Sequence, residues 1–417
     1  MSDQSMTSAE SRNGSSSDRP VTRRYFLASM ISLGLGTAFT FGLLNFYTAP
    51  PIEDDVPDEI ASNPDGAVEQ SANKYLAYTL DSSMVNSKIR DPELVLSCLD
   101  ENSMLLLGSS ELTRGTPNTS PTALFYNKGY DADFCLVGDS GCQSLWAAME
   151  IAALSPNLKT RKVAFILSQY WTRFNPQPAA FQKRYSPKVM KMMMDNGDLS
   201  DDTETAIMKR AETLLAGSDY QNQAKAETPL ELADSYANCL ADSLRITDES
   251  TSIEFPFVQY VPVTQSVDNI DWNALLAQAK TTGTNESSNN PYGILNDEWT
   301  ATYSSNAQGS ESKTNLSNSL EYDDLGLFCR TCQELGIEPL LIMTPMKNSW
   351  SDFMGISNET RQAFFDKVKA IAAQYDAQIA DFSSYGDDIY FMDDPIHIGW
   401  EGWPYVEKAI IEFYRKN

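Results

Sequence analysis

The chain has 417 residues, of which 42% are hydrophobic and 21% are charged, a composition typical of a folded globular protein and not of a disordered one. Its formal net charge of −26 argues against a nucleic-acid binder, which needs a basic surface. It contains one histidine, so any serine, cysteine or metal chemistry that needs an imidazole must use His397.

The N-terminal residues have the features of a membrane anchor. Residues 1–24 form a polar tail that ends in arginines, and residues 25–47 carry no charge, over a length sufficient to cross a bilayer as a helix. Arginines before this span and an acidic cluster after it predict a cytoplasmic N-terminus and a single-pass protein of the cell membrane, with the rest of the chain outside. A cleaved export signal of the twin-arginine type, indicated by residues 22–27, is the alternative.

All cysteines follow the predicted span, in a compartment where disulfides persist. They are Cys98, Cys135, Cys142, Cys239, Cys329 and Cys332. The last two form a C-x-x-C within a predicted helix, without the preceding strand of a thioredoxin-like site. We interpret the cysteines as structural thiols or as including one ordinary bridge, whose connectivity the spacing does not determine.

Beyond a predicted stalk at residues 48–100, short apolar runs alternate with helical patterns. Strands are predicted at residues 104–107, 134–137, 163–167, 339–343 and 378–382. Helices are predicted at residues 143–154 (amphipathic), 323–335, 358–375 and 404–414. The alternation indicates an α/β domain over residues 101–417, in which a parallel sheet is flanked by helices. It breaks down between residues 172 and 320, which predicts a largely helical insertion that covers one end of the sheet.

Three loops at the predicted carboxyl ends of strands carry suggestive side chains. Ligands of open α/β sheets bind at these ends. The loops are residues 108–112, which follow the first strand, residues 138–143, which follow the second, and residues 394–397, which precede the last helix. They contain serines, glycines and the single histidine, so they are the candidate site.

A serine hydroxyl needs a base to take its proton, and the base needs a third group to orient it. Asp394 and His397 lie three residues apart, so a carboxylate oxygen can reach one ring nitrogen and leave the other to face Ser110. The amides of Ser110 and Gly141 are the candidate oxyanion donors. The sequence shows none of the spacings typical of a metal site, and we expect no metal and no cofactor.

Each of these features alone has an ordinary structural explanation. Glycine and serine favour turns after strands, and a lone histidine before a helix is commonly a surface or capping residue. The combination is more specific, because Gly-x-Ser follows the first strand and Asp-x-x-His precedes the last helix.

The Gly-x-Ser loop and the C-terminal Asp-x-x-His are similar to the pattern of the SGNH (GDSL-like) hydrolases. Within them, the chain from about Ser103 onward resembles the DltD family, membrane-anchored extracytoplasmic proteins of teichoic acid D-alanylation in Gram-positive bacteria. The resembling segments are residues 108–112, 141–145, 168–171, 289–293, 321–325 and 394–403. The resemblance implies a flavodoxin-like SGNH-hydrolase sheet, with Ser110 as nucleophile, His397 as base and Asp394 as the residue that orients the base.

The resemblance also implies further site residues. The residues expected to bind substrate are Glu111, Gln143, Gln169, Trp171, Asn290, Asn348 and Trp400, and Tyr292 is expected beside Asn290 in the cover of the site. An anionic acceptor polymer and an acidic protein repel each other, so we expect the acceptor to meet a local groove. Arg114 and Lys347 are its candidates.

By the same resemblance, the expected function is transfer of D-alanine to lipoteichoic acid or a related cell-wall polymer through a D-alanyl ester of Ser110. The expected partners are the teichoic acid polymer, a D-alanyl donor and a membrane O-acyltransferase of the same pathway. One alternative is an esterase or thioesterase, or an O-acyltransferase that acts on another surface glycan. Another is a non-catalytic assembly protein that holds the membrane acyltransferase and the polymer together.

Overall fold

The computed structural model describes residues 74–78, 91–113, 119–125, 129–250 and 258–416. These residues belong to one compact unit, residues 67–417. The predicted cytoplasmic tail and membrane span, residues 1–47, lie outside the described residues, and so does Arg114. Among the helices of the described ranges, none combines the length and the apolar character needed to cross a membrane.

Strands and helices alternate through much of the described chain. The strands are β1 (Lys74–Tyr78), β2 (Met104–Gly108), β3 (Phe134–Gly138), β4 (Lys162–Ser168), β5 (Val258–Pro262), β6 (Glu338–Thr344) and β7 (Gln378–Asp381). The helices are α1 (Pro92–Ser97), α2 (Pro121–Leu124), α3 (Ser144–Leu154), α4 (Pro178–Arg184), α5 (Pro187–Asp195), α6 (Asp201–Leu215), α7 (Pro229–Ser250), α8 (Trp272–Glu286), α9 (Asn296–Glu298), α10 (Glu321–Glu334), α11 (Asn348–Met354), α12 (Asn358–Tyr375) and α13 (Gly402–Arg415).

Five of these strands form a parallel sheet in the order β3-β2-β4-β6-β7. Numbered along the chain, they lie in the order 2-1-3-4-5, as in flavodoxin-like doubly wound sheets. The chain leaves β2 toward one edge of the sheet and β4 toward the other, so the topological switch point lies between the carboxyl ends of β2 and β4. The prediction of a parallel sheet flanked by helices is confirmed.

Both faces of the sheet are buried, which is general for parallel sheets. Successive side chains of a strand point to opposite faces. Leu105 and Leu107 of β2 join one hydrophobic core with α3, α10 and α12, whereas Met104 and Leu106 join a second core with α13. Burial on both faces explains why these strands are continuous apolar runs that the sequence pattern locates well.

Helix α3 confirms the helix predicted at residues 143–154, but it is buried on every side, so its predicted amphipathic character is wrong. All of its residues are buried, including Glu150. The helix contacts α5, α6 and α10. Neither carboxylate oxygen of Glu150 has a hydrogen-bond partner among the described residues, and burial raises the pKa of this carboxyl well above its usual value.

A second, two-stranded sheet was not predicted. Strand β1 lies within the predicted stalk, residues 48–100, and pairs antiparallel with β5, from Lys74 opposite Pro262 to Tyr78 opposite Val258. Strand β5 lies within the predicted helical insertion. Partners so far apart along the chain leave no local signature in the sequence.

The carboxyl ends of β2 and β3 approach each other closely through a pair of glycines. Gly138 lies opposite Gly108, and a Cβ atom on Gly138 would lie 2.1 Å from the Gly108 carbonyl oxygen. No side chain fits there unless the strands move apart. The pair therefore sets the positions of the two loops that follow.

We expect Gly138→Ala to lower the free energy of unfolding by about 3 kcal/mol, at the upper end of the usual cost of overpacking. Gly326→Ala, within α10, is the matched control, because the nearest atom to its added Cβ would be 3.9 Å away. The control should be neutral or stabilising by up to about 1 kcal/mol, since glycine disfavours helix interiors. Denaturant titration of both variants measures the difference, and equal unfolding midpoints would contradict the steric argument.

Candidate active site

Three loops meet at the carboxyl end of the sheet. A 3₁₀ turn, Ser110–Leu112, follows β2, residues 139–143 connect β3 to α3, and residues 393–401 lead into α13. The first two loops leave the sheet side by side because of the Gly108 and Gly138 contact. The three loops are those that the sequence pattern singled out.

Ser110, His397 and Asp394 form a continuous chain of hydrogen bonds. Ser110 Oγ lies 2.7 Å from His397 Nε2, and His397 Nδ1 lies 2.6 Å from Asp394 Oδ2. Asp394 Oδ1 accepts hydrogen bonds from the amides of Ile396 at 2.7 Å and His397 at 2.8 Å. Asp394 is 1% exposed, whereas Ser110 and His397 are partly exposed. An arrangement of this kind can move the serine proton to the imidazole.

Ser109 differs from Ser110, because it is buried and joins the first two loops. Its Oγ accepts a hydrogen bond from the Gly141 amide at 3.1 Å and donates one to the Asp139 carbonyl at 3.3 Å. Gly141 has a φ of +92°, which residues with a side chain rarely adopt. The amide of Gly141, predicted as an oxyanion donor, is thus directed to Ser109. The amide of Ser110 is the first of the 3₁₀ turn, so geometry leaves it no partner within that turn.

Glu111 is buried against the backbone that carries the serines. Its Oε1 accepts a hydrogen bond from the Ser109 amide at 2.7 Å. A Cβ atom on Gly108 would lie 2.8 Å from this oxygen, so the glycine makes room for the carboxyl group. Burial raises the pKa of Glu111, and the amides of Ser109 and Glu111 and the nearby His397 oppose that rise.

Ser110 and His397 open into a cleft of about 370 Å³. Three of the residues predicted to bind substrate, Glu111, Gln143 and Trp171, line this cleft. The lining also includes residues that the sequence analysis missed, namely Tyr170, Phe174, Asn175 and Gln177. They belong to the 3₁₀ turn Gln169–Arg173 after β4 and to the segment that follows it, next to the switch point of the sheet. The resembling segment at residues 168–171 marks the start of this loop and includes Tyr170, and an extension of the search to the rest of the loop would have found the others.

Four of the residues predicted to bind substrate lie outside the lining of the cleft, and two of these are fully buried. Gln169 is 1% exposed; its amide group donates to the Arg361 carbonyl at 2.7 Å and accepts from the Met346 amide at 3.0 Å. Trp400 is also 1% exposed, and its Nε1 donates to Glu286 Oε2 at 2.8 Å. Both side chains connect segments of the chain behind the site.

The side chains of the other two, Asn290 and Asn348, contact neighbouring protein segments and not the cleft. Asn290 Oδ1 accepts hydrogen bonds from the amides of Tyr292 at 3.1 Å and Ile294 at 3.0 Å, and so shapes a turn. Asn348 begins α11, and its Oδ1 would lie 2.5 Å from a Cβ atom on Gly386. The Asn348 side chain therefore packs against the 3₁₀ turn Ser383–Asp387, which contains Gly386.

Lys347 was expected at an acceptor groove, and that prediction is wrong because the side chain is buried. It is 1% exposed, and its Nζ donates to the Ile389 carbonyl at 2.5 Å. Burial lowers the pKa of Lys347 to about 8, against the opposing effect of the carboxylates of Asp393, Asp388 and Asp394. The lysine is therefore an internal counter-charge to the acids around the histidine loop.

The C-x-x-C cysteines, Cys329 and Cys332, are buried thiols in α10 without a disulfide bond. Burial raises the pKa of Cys329 to about 12 and that of Cys332 well above its usual value. Thiols are weak nucleophiles when their pKa is raised. The interpretation of this pair as structural thiols agrees with these observations.

The chain is similar to known proteins over most of its length. Protein DltD of Bacillus subtilis is 28% identical over 369 residues, which cover 84% of this chain and 91% of that protein. Protein DltD of Staphylococcus aureus is 27% identical, over 73% of this chain and 79% of that protein. Protein DltD of Lacticaseibacillus rhamnosus is 26% identical, over 86% of each. The family model described as DltD protein matches residues 82–415, well over half of the sequence, and the chain therefore belongs to the DltD family.

Proposed function

We propose that the chain is an acyltransferase of the SGNH serine type, which attaches D-alanine to lipoteichoic acid or a related cell-wall polymer outside the membrane. The observation that carries the proposal is the hydrogen-bonded chain from Ser110 through His397 to Asp394 at the edge of a cleft. Membership of the DltD family supports D-alanine and teichoic acid as the substrates.

The first half of the proposed reaction forms an ester on Ser110. His397 Nε2 accepts the hydroxyl proton while Ser110 Oγ bonds to the carbonyl carbon of the D-alanyl donor. Asp394 keeps Nδ1 protonated and stabilises the imidazolium that results. The tetrahedral intermediate collapses when its bond to the leaving group breaks and His397 gives that group the proton, which leaves D-alanyl-Ser110.

The second half transfers the D-alanyl group to the polymer. A polymer hydroxyl loses its proton to His397 and attacks the ester carbonyl. The bond to Ser110 Oγ then breaks, and His397 returns the proton to the serine. Water can attack the same ester because Ser110 and His397 are partly exposed, so esterase activity is the second candidate.

The oxyanion needs hydrogen-bond donors near Ser110 Oγ. The Ser110 amide has no partner within its own turn and is the first donor in this proposal. The Gly141 amide is the second, and it must exchange its 3.1 Å hydrogen bond with Ser109 Oγ for one with the oxyanion. The Ser109 hydroxyl keeps the Gly141 amide satisfied until that exchange.

We further propose that residues 25–47 anchor the protein in the membrane and that a membrane O-acyltransferase is its partner. The charge pattern on either side of this span supports an extracytoplasmic site. The donor and the acceptor would then meet the Ser110 cleft on the outer side of the membrane.

We expect Ser110→Ala and His397→Ala to slow labelling by a fluorophosphonate probe at least about 10⁴-fold, because each removes the activated oxygen or its base. Ser140→Ala is the matched control, since Ser140 lines the same cleft but is outside the hydrogen-bonded chain. It should be labelled at nearly the wild-type rate in gel-based assays. If cells with Ser110→Ala kept full D-alanyl ester on their teichoic acid, the non-catalytic assembly alternative would replace this proposal.

We expect D-alanine to be transferred to the polymer and not released into water. The assay supplies a D-alanyl thioester of N-acetylcysteamine with and without lipoteichoic acid and follows labelled alanine in both fractions. Polymer-bound alanine should accumulate with wild type and not with Ser110→Ala. Release at the same rate with and without polymer, and no polymer-bound label, would favour the esterase alternative.

We expect Glu111 to be a positioning residue for the serine turn. Glu111→Ala removes the acceptor of the Ser109 amide and should slow probe labelling by about tenfold or more, the effect of one lost buried hydrogen bond. Glu111→Gln keeps an acceptor oxygen and should retain most of the rate. If Glu111 had only a structural role, the labelling rate would fall in proportion to the thermal unfolding midpoint in both variants, so both quantities are measured. Equal labelling rates for Glu111→Ala and Glu111→Gln would refute the positioning role.

A further inference from the structure

A groove of about 780 Å³, the α10 groove, runs along the outer side of α10, and α6 and α12 also contribute to its lining. It shares no lining residue with the Ser110 cleft. We propose that an anionic phosphodiester polymer docks in the α10 groove as the acceptor of acyl transfer, an inference that rests on the function proposed above.

The α10 groove is basic although the chain as a whole is acidic. Its lining holds twice as many basic as acidic side chains. The basic residues are Lys209, Arg210, Arg330 and Lys367, and the acidic ones are Asp323 and Asp324. Salt screens charges more than about 8 Å apart at physiological ionic strength, so the local excess decides whether an anion binds.

Two of the groove cations, Lys209 and Lys367, are exposed and available to a ligand. Neither forms an ion pair with an acid within the part of the chain that the structure describes. Lys367 Nζ lies 5.0 Å from the centroid of the Tyr322 ring. An aromatic ring attracts the ammonium group but does not neutralise it, so its charge still faces the groove.

One of the two groove acids, Asp324, is less available than these lysines. Arg210 Nε and Nη2 donate to both oxygens of Asp324, at 2.7 and 3.0 Å, and Asp324 is 0% exposed. The charges of that pair cancel each other. Arg330 Nε donates to Glu334 Oε1 at 3.1 Å. The two positive charges of Lys209 and Lys367 then exceed the single negative charge of Asp323, the exposed acid of the lining.

Gly326 supplies an independent observation that points to a ligand. It lies in the interior of α10, where glycine disfavours the helix, and it lines the groove. Among the residues that the structure describes, no packing contact requires a glycine there, since the nearest atom to an added Cβ would be 3.9 Å away. The absent side chain leaves the helix backbone open to a close approach from the groove.

The start of α10 connects the groove to the Ser110 cleft. Ser319 Oγ donates to the Phe174 carbonyl at 2.7 Å, and the Leu320 amide donates to Asn175 Oδ1 at 2.9 Å. Phe174 and Asn175 line the cleft, whereas Tyr322, at the start of α10, lines the groove. A polymer held along α10 therefore ends close to the wall of the cleft that contains the serine.

The lining also suits the carbon atoms of a glycerol phosphate chain. Apolar atoms of Ala206, Leu327 and Ile371 lie among the basic side chains. The phosphates would contact the lysines, and the glycerol carbons would contact these apolar surfaces. A polymer of phosphodiesters and short polyols fits this alternation, whereas an acidic protein surface lacks the regular spacing of charge.

The test measures binding of a fluorescent poly(glycerol phosphate) chain by anisotropy, with the full-length protein in the Ser110→Ala background. We expect the double variant Lys209→Glu/Lys367→Glu to weaken binding by about tenfold or more and to reduce the dependence of affinity on salt. The matched control is Lys159→Glu/Lys408→Glu, which changes the net charge equally at exposed sites outside the groove. It should bind like its parent.

A second variant, Gly326→Leu, fills the groove without a change in charge. It should weaken binding while the thermal unfolding midpoint stays equal or rises. Binding unchanged in both groove variants, or weakened equally by the control pair, would overturn the inference. The binding assay uses a protein without Ser110, so a negative binding result does not affect the test of Ser110 by probe labelling. Conversely, a negative labelling result does not affect the binding measurement.

Discussion

The site depends on the carboxylate of Asp394, which accepts three hydrogen bonds from its own turn. One oxygen binds the imidazole and the other binds the amides of Ile396 and His397. Hydrogen bonds to an ionised group contribute about 1.5–3 kcal/mol each, so this short turn keeps one conformation. The single imidazole of the chain is thereby oriented toward Ser110 before any substrate arrives. The negative charge of Asp394, with those of Asp393 and Asp388, also favours the charged form of the buried Lys347.

The serine depends in turn on the contact between two strands. Gly108 and Gly138 allow β2 and β3 to end so close together that Ser109 bridges their loops. Glu111 fills the space that Gly108 leaves and binds the Ser109 amide. The Ser109 hydroxyl therefore holds the two loops together, whereas the hydroxyl of the next residue, Ser110, lies against His397. The adjacent serines have different roles because the Ser109 side chain points to the loop after β3 and the Ser110 side chain lines the cleft.

The sheet and the pair of Asp394 and His397 were predictable from sequence because their signals are local, whereas Ser110, far away along the chain, was predicted from its position at the carboxyl end of a strand. Strands buried on both faces are continuous apolar runs, and Asp394 and His397 are close neighbours on the chain. The pairing of β1 with β5 was not predictable, since the two strands lie far apart along the sequence. Gln169 and Trp400 were expected to bind substrate and do not line the cleft, for a different reason. A family motif reports the type and place of a residue, whereas its side chain can point into the core, as both do here. The charges of the α10 groove come from three helices and meet only in the folded protein.

The burial of α3 has a consequence for the charge of the native protein. The formal charge of −26 counts every acid as ionised. Glu150 is enclosed in α3 and has no hydrogen-bond partner in the described part of the chain, and its pKa lies well above the usual value. Burial beside Asp324 raises the pKa of Glu321 to about 8. Both carboxyls bind protons more tightly in the native than in the unfolded chain, so stability falls as pH rises through their native pKa values. Between the usual and the native pKa values of these carboxyls, folding is thus accompanied by proton uptake, and the native chain is less negatively charged than the amino-acid count suggests.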